Sequence, residues 1–206
     1  MSHCRWHRGA DTIHVKQVHK LQMEKGEFML PETGIPIAYL ITFNCYGTWL
    51  HGGKPTSVDR YNNTPGTDFL PLSSTRANLV KQQMSETPYF LDESRRHIVL
   101  QAIVEVCAYR QWVLLAAHVR SNHVHSVIHA ILKPEQIMNS IKSYASRYLN
   151  KAKLDGNKVN RWARHGSTRY LWKDVEVEAA IQYVVHEQGL PMSVFENKNQ
   201  TFNVTI

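Results

Sequence analysis

Two histidines separated by one residue, His123 and His125 in the stretch SNHVHSVIHA, are the first residues whose types and spacing suit chemistry. Side chains at i and i+2 of a β-strand project from one face. A strand here therefore sets the two imidazoles side by side and turns Val124, Ser126 and Ile128 the other way. Two neighbouring imidazoles can share one divalent cation. The pattern alone is weak, because chance supplies roughly 0.7 His-x-His pairs in a chain of 206 residues with 12 histidines. His129 falls on the same face and counts as a spare ligand or a polar surface contact.

Two imidazoles need a third donor from elsewhere in the chain. The segment VEVEAAIQYVVHEQG offers Glu176, Glu178, His186, Glu187 and Gln188. At about 100° per residue, an apolar stripe of Val177, Ile181 and Val184 carries Gln188 with it, while Tyr183 and Glu187 stack together on a different side. That sets a phenol beside a carboxylate able to bind metal. The same tyrosine also suits a half-buried ring whose hydroxyl stays wet.

For these groups to meet, a sheet and a helix must position them. From Ile37, IAYLITFNCYGTWL is rich in β-branched and aromatic residues and reads as a central strand ending in a turn at Gly47. Residues 51–90 carry turn chemistry, with one short helix expected around 78–84; a loop that long serves function or marks an insertion. Asp92 is placed to cap a helix ending near Arg110, on which Val99, Ala102, Ile103 and Val106 recur at i, i+3, i+4 and i+7. WVLLAAHV, the turn RSN and residues 123–130 read as an antiparallel hairpin. Pro134 suits the first turn of a helix with the stripe Ile137, Ile141, Tyr144 and Tyr148, which directs Lys142 and Arg147 elsewhere. RWARHGSTRYLW reads as loop and short strand, after which Asp174 caps a last helix stopped by Gly189 and Pro191. The economical solution is one antiparallel sheet with helices on one face, a ferredoxin-like (RRM-like) α+β domain with an extra C-terminal helix. If Val124 and Ile128 pack under the helices, the histidine face is the open side of the sheet.

A chain of 206 residues with 43% hydrophobic content can bury one sizeable core. We expect an N-terminal extension over 1–34 with little order, a domain over 35–190 and a tail over 191–206. His3, Cys4 and His7 lack a second ligand pair and are assigned to tail composition. The chain has no run of eighteen apolar residues and no apolar signal core. Its three cysteines (Cys4, Cys45, Cys107) have no CxxC spacing, so a cytoplasmic protein away from membranes is expected. Of the formal net charge of +7, the span from Lys133 to Lys173 carries ten basic residues against Glu135 and Asp155. A concentrated basic surface suits a polyanion, most simply nucleic acid.

NHVH on a strand after a turn, a basic helix, RHGSTRYLWKD, and a helix carrying YVVHEQG together resemble the single-tyrosine HUH transposases, the small insertion-sequence enzymes and their REP-associated relatives. AYLITFNCYGTWLHGG resembles that family's first strand and turn, so the likeness covers most of residues 37–190. The resemblance implies a ferredoxin-like domain of the HUH endonuclease type, with His123 and His125 as metal ligands and Tyr183 as nucleophile. It further implies that a polar residue four positions after the tyrosine completes the metal set, often Gln or Asn in relatives and here Glu187. The extra negative charge tightens metal binding while opposing an incoming phosphate, and Gln188 is the alternative.

The cofactor so implied is Mg²⁺ or Mn²⁺, with two imidazoles favouring Mn²⁺. A phenol, pKa about 10, is a poor nucleophile near neutrality, so a cation must polarise the scissile phosphate. The reaction implied is cleavage and rejoining of single-stranded or hairpin DNA through a 5′-phosphotyrosine, by a monomer or by a homodimer with composite sites. Lys142, Arg147, Arg161, Arg164, Arg169 and Lys173 would then neutralise DNA phosphates, with Trp162 or Trp172 stacking on a base. Tyr170 is the second candidate nucleophile, whereas Tyr144 and Tyr148 belong to the apolar stripe. Two rival readings are a non-catalytic nucleic-acid-binding ferredoxin-like module, whose aromatic strand signature is missing, and a metal-dependent phosphodiesterase that activates water.

Overall fold

Antiparallel pairing joins all the strands in the computed structural model, which describes residues 34–49, 73–156 and 160–198. Strands β1 (Ala38–Cys45), β2 (Val113–Val119), β3 (His123–His129), β4 (Trp162–Leu171) and β5 (Ser193–Glu196) form one sheet in the order β4-β1-β3-β2-β5. The helices are α1 (Ser74–Gln82), α2 (Glu93–Arg110), α3 (Pro134–Ala152) and α4 (Asp174–His186). Setting aside α1, α4 and β5 leaves the β-α-β-β-α-β order of the ferredoxin-like fold. The expectations for 1–33, including His3, Cys4 and His7, and for residues 50–72 of the long loop lie outside the described residues.

Strand alternation sorts the side chains onto two faces. Tyr39, Ile41 and Phe43 of β1 and Val124 and Ile128 of β3 pack with Val99, Ile103 and Val106 of α2 and Ile137, Ile141 and Leu149 of α3. Ala38, Leu40 and Val127 point to the opposite face and pack with Val177, Ala180 and Val184 of α4. The histidine face is thus not open along its length, because the last helix lies over part of it. Burying a Val-sized side chain contributes about 1.5–3 kcal/mol, so this three-residue stripe is what holds α4 to the sheet.

Local chemistry explains most boundaries. The Asp92 carboxylate accepts the N–H of Arg95 at 2.8 Å to start α2, and Gln111, at φ 58°, ends it. Pro134 opens α3 as expected. Four boundaries differ from expectation. Helix α1 begins at Ser74, because the hydroxyl of Ser73 accepts the N–H of Arg76 at 3.3 Å. Asp174 is the first helical residue of α4 rather than its cap; Glu176 instead takes the N–H groups of Trp172 and Lys173, at 2.8 and 3.2 Å. β4 is a ten-residue strand rather than a short one, paired with β1 along its length. β5, within the expected tail, adds a fifth strand beside β2.

Two contacts fasten β4. Gly166 lies opposite Phe43, where a Cβ would come within 2.4 Å of the Thr42 carbonyl and 2.7 Å of Met138 Sδ. Lys142 is buried on α3 and donates from Nζ to the carbonyls of Ala163 at 2.9 Å and His165 at 3.3 Å. Below the sheet end, the Asp155 carboxylate accepts from Tyr89 Oη at 2.9 Å, Arg95 Nε at 2.8 Å and Arg161 Nε at 2.6 Å. Burial pushes the Asp155 carboxyl up, but those hydrogen bonds outweigh it and hold it below its ordinary value. Among the described residues, no helix is long and apolar enough to cross a membrane.

Candidate active site

A row of polar residues crosses the α4 side of the sheet. In register it reads Ser167 on β4, Thr42 on β1, His125 on β3 and His118 on β2. His123 stands one pleat along β3 from His125, with ring centroids 4.7 Å apart. The side-by-side placement expected from strand periodicity is therefore present.

Each ring of the pair has its Nδ1 engaged. Asn122 Oδ1, an acceptor, lies 2.7 Å from Nδ1 of His123 and takes its N–H. Thr42 Oγ1 lies 2.7 Å from Nδ1 of His125, and its hydroxyl can accept in the same way. Such outer partners fix the ring orientation and leave Nε2 as the basic atom, the arrangement of metal-ligating histidines. His129 donates elsewhere, from Nδ1 to the carbonyl oxygen of Ile37 at 2.6 Å, so it stands apart from the pair.

Tyr183 reaches this pair from α4. Val177, Ala180 and Val184 bury one side of the helix, and the tyrosine on the adjoining side is left 40% exposed. Its ring meets that of His125 edge to face, with centroids 5.5 Å apart. Its hydroxyl makes no hydrogen bond among the described residues. One chain thus brings the histidine pair and the tyrosine together. Tyr170, the second candidate, pairs across the ladder with Tyr39 and so lies on the opposite face. Tyr144 and Tyr148 flank the main core.

The expected third donor, Glu187, is not brought to the pair. Glu187 is exposed, and among the described residues no three His, Cys, Asp or Glu side chains are grouped to hold a metal ion. The backbone departs from helical phase just after Glu187, which still donates its N–H to the Tyr183 carbonyl at 3.3 Å but whose φ −102° and ψ 10° redirect the chain at Gln188. Gln188 is half-buried instead and stands close enough to both His123 and His125 to raise their pKa values slightly against the effect of burial. Its Nε2 donates to the Tyr183 carbonyl at 3.0 Å, which leaves its oxygen available to a cation. Glu178 and His186 are exposed, and Glu176 is engaged with the start of the helix.

Two residues that sequence reasoning passed over complete the surroundings. His118 is fully buried; its Nδ1 donates to the Val184 carbonyl at 2.9 Å and its Nε2 accepts the N–H of Met192 at 3.2 Å. One neutral ring therefore ties β2 to the turn of α4 that carries Tyr183. Arg120, in the hairpin turn, donates to the Leu190 carbonyl at 2.7 Å and bears on all three histidines electrostatically. The only hint of either in the sequence was its position, His118 two residues before the turn and Arg120 opening RSN.

Burial is the first cause lowering the pKa of His118, His123 and His125, and His125, with the charges of His123 and His118 adding to it, is pushed down to about 3. The unfolded chain takes up these protons near pH 6.5, before the folded chain does. Stability is then full above about pH 6.5 and falls on acidification towards the folded pKa values, by up to about 1.4 kcal/mol per pH unit for each histidine. Urea unfolding between pH 7.5 and 5 should show this decline. A flat profile would mean that the rings are not desolvated.

The predicted DNA contacts divide. Lys142 is committed to β4, and burial pushes its pKa down to about 8. Arg161 is buried, with Nη2 on Asn150 Oδ1 at 2.7 Å and Nε on Asp155. Neither is free for phosphate. The helical stripe was rotated in the expectation: Ile137, Ile141, Ala145 and Leu149 face inward together with Met138 and Lys142. Arg147 is exposed over the Tyr144 ring at 4.1 Å, and Arg164, Arg169 and Lys173 are exposed along or just beyond β4. Trp162 is a packing residue, edge to face with Phe43 and donating to Ser146 Oγ at 2.9 Å, whereas Trp172 is 47% exposed rather than core.

No curated protein matches the chain. Among solved structures, that of the REP-associated tyrosine transposase bound to a REP hairpin is similar over 77% of this chain and 71% of that one, at 12% identity and a TM-score of 0.39. The family model described as "Transposase IS200 like" matches residues 73–186, from α1 through α4 and more than half of the sequence. The chain belongs to the IS200-like transposase family.

Proposed function

We propose that this protein cuts and rejoins single-stranded DNA with Tyr183 as the nucleophile and a divalent cation held by His123, His125 and Gln188. The reading is carried by one observation, the Tyr183 ring against His125 with its hydroxyl unengaged, beside two imidazoles whose Nδ1 atoms are already occupied. The catalytic unit is taken to begin at residue 35 and to include β5.

The donor set suits Mg²⁺ or Mn²⁺. It comprises two imidazole nitrogens and one carboxamide oxygen, all neutral, so the full positive charge of the ion is left to face a phosphate. Bound there, the ion would withdraw charge from the scissile phosphate and offset what develops on it during attack. The chain's own part is to present the phenol. Tyr183 Oη bonds to phosphorus, the bond from phosphorus to the 3′-oxygen breaks, and that oxygen leaves as a 3′-hydroxyl after taking a proton from solvent. The phenolic proton passes to solvent. The product is a 5′-phosphotyrosine, and a later 3′-hydroxyl can reverse the step with no external energy source. Arg147, Arg164, Arg169 and Lys173 are assigned to backbone phosphates.

Incubation with labelled hairpin-bearing single-stranded DNA and Mn²⁺ should yield an adduct that survives denaturation and is lost on chelation. Cleavage without an adduct would favour a water-using phosphodiesterase, and binding without cleavage a non-catalytic module. The ligand assignment has its own test: Gln188→Ala should raise the Mn²⁺ concentration for half-maximal cleavage about tenfold, in line with the loss of a metal contact, and Glu187→Gln should leave it within about twofold. The reverse ranking would return the third position to Glu187.

A further inference from the structure

We infer that Tyr170 and Trp172 form a stacking site for an unpaired base of single-stranded DNA, at the edge of the sheet and apart from the histidine pair. The class of ligand rests on the reading above. The two rings lie nearly parallel, with centroids 6.2 Å apart and planes at 16°, and they are 43% and 47% exposed. An aromatic ring buries about 150–250 Å² when it packs fully, so leaving two neighbours half outside forgoes a large apolar gain.

The pair is held rather than loose. Tyr39, itself buried, braces Tyr170 edge-on at 5.1 Å and 81°. Leu171 between the two rings is fully buried, and the N–H of Trp172 is fixed on Glu176 at 2.8 Å. Strand alternation thus sinks Leu171 and turns both aromatics outward.

Charge names the partner. Arg169 precedes the pair, with its side chain 65% exposed and only a 4.0 Å contact to Glu176; Lys173 follows it, and Arg164 is exposed at the other end of β4. Of the nearby acids, Glu176 is engaged by two backbone N–H groups, and Glu135 lies 3.5 Å from the Thr168 hydroxyl. Arg169 alternates with Tyr170 and so projects from the other side of this outer strand, where a phosphate backbone crossing the strand's edge would meet it while a base stacks on the aromatic side. Stacking on aromatics and phosphate contacts are how single strands are held with little sequence preference. A protein partner would call for a wider apolar surround than Thr168 and Glu135, on the same side as Tyr170, provide.

The test separates binding from chemistry by using metal-free protein carrying Tyr183→Phe and a fluorescent single-stranded oligonucleotide. Trp172→Leu should weaken binding about tenfold and Trp172→Phe by less than threefold, with Tyr170→Leu close to Trp172→Leu. An abasic scan of the oligonucleotide should find one position where the parent loses a similar factor and Trp172→Leu loses nothing more. Binding within twofold for both leucine variants overturns the site. So does a uniform loss at every abasic position, which would mark an indirect effect. Absence of a covalent adduct from the protein with Tyr183 intact would count against the cleavage reading alone, since a position-specific loss upholds the stacking site whether or not strands are cut.

Discussion

Replacing Tyr183 with phenylalanine should abolish the covalent DNA adduct and reduce strand cleavage by about four orders of magnitude, the scale of loss when a nucleophile acting within a catalytic unit is removed. The substitution deletes one oxygen that has no hydrogen-bond partner among the described residues, on a ring 40% exposed and resting against His125. Stability should therefore change by less than about 0.5 kcal/mol. DNA affinity should stay within twofold, because none of the assigned phosphate contacts is touched. A gel that resolves adduct, cut strand and bound strand separates these three quantities. Retention of cutting with the phenylalanine in place would assign attack to another group.

His125→Ala has the second largest expected effect, a loss of about a thousandfold in cleavage with single-strand affinity reduced no more than threefold in metal-free buffer. The imidazole is 5% exposed, wedged between Thr42 on β1 and His118 on β2, and in contact with both His123 and Tyr183. Removing it takes away a proposed ligand and also leaves space under the tyrosine, so folding must be read alongside activity. His118→Ala is the control for that space. It breaks the bonds to Val184 and Met192 and should cost about 1–3 kcal/mol, since it leaves a buried carbonyl and a backbone N–H unpaired. The two variants part on one readout: the His125 variant should lose binding of Mn²⁺ measured by calorimetry, and the His118 variant should retain it. Equal loss of metal, cleavage and stability in both would make His125 a structural histidine.

Where one local period governed the backbone, the sequence was sufficient. The alternation of SNHVHSVIHA put His123 and His125 on one face, and the apolar stripe of Val177, Ile181 and Val184 put α4 on the sheet, with Val177 and Val184 buried and Ile181 at the margin. Caps and turns at Asp92, Pro134 and Gly189 also obeyed local rules. The departures arise where tertiary contacts override local signals. Lys142 carries a charge yet faces inward, because two carbonyls of β4 receive its ammonium. β4 shows no apolar alternation because it is an outer strand with most of its residues exposed, and its length is set by pairing with β1. Glu187 is left exposed and Gln188 half-buried because the backbone leaves helical phase at Glu187, which a phase argument run on past Tyr183 does not foresee. His118 was invisible for a different reason: its partners are main-chain atoms 66 and 74 residues away, and no residue-type pattern encodes them.

The most direct measurement is to digest the complex formed with Mn²⁺ and hairpin-bearing single-stranded DNA and locate the modified residue by mass spectrometry. The account requires a single 5′-nucleotide phosphate on Tyr183, with a free 3′-hydroxyl on the released strand. A phosphate on Tyr170 or on any other side chain, or cut DNA with no modified peptide, would contradict it.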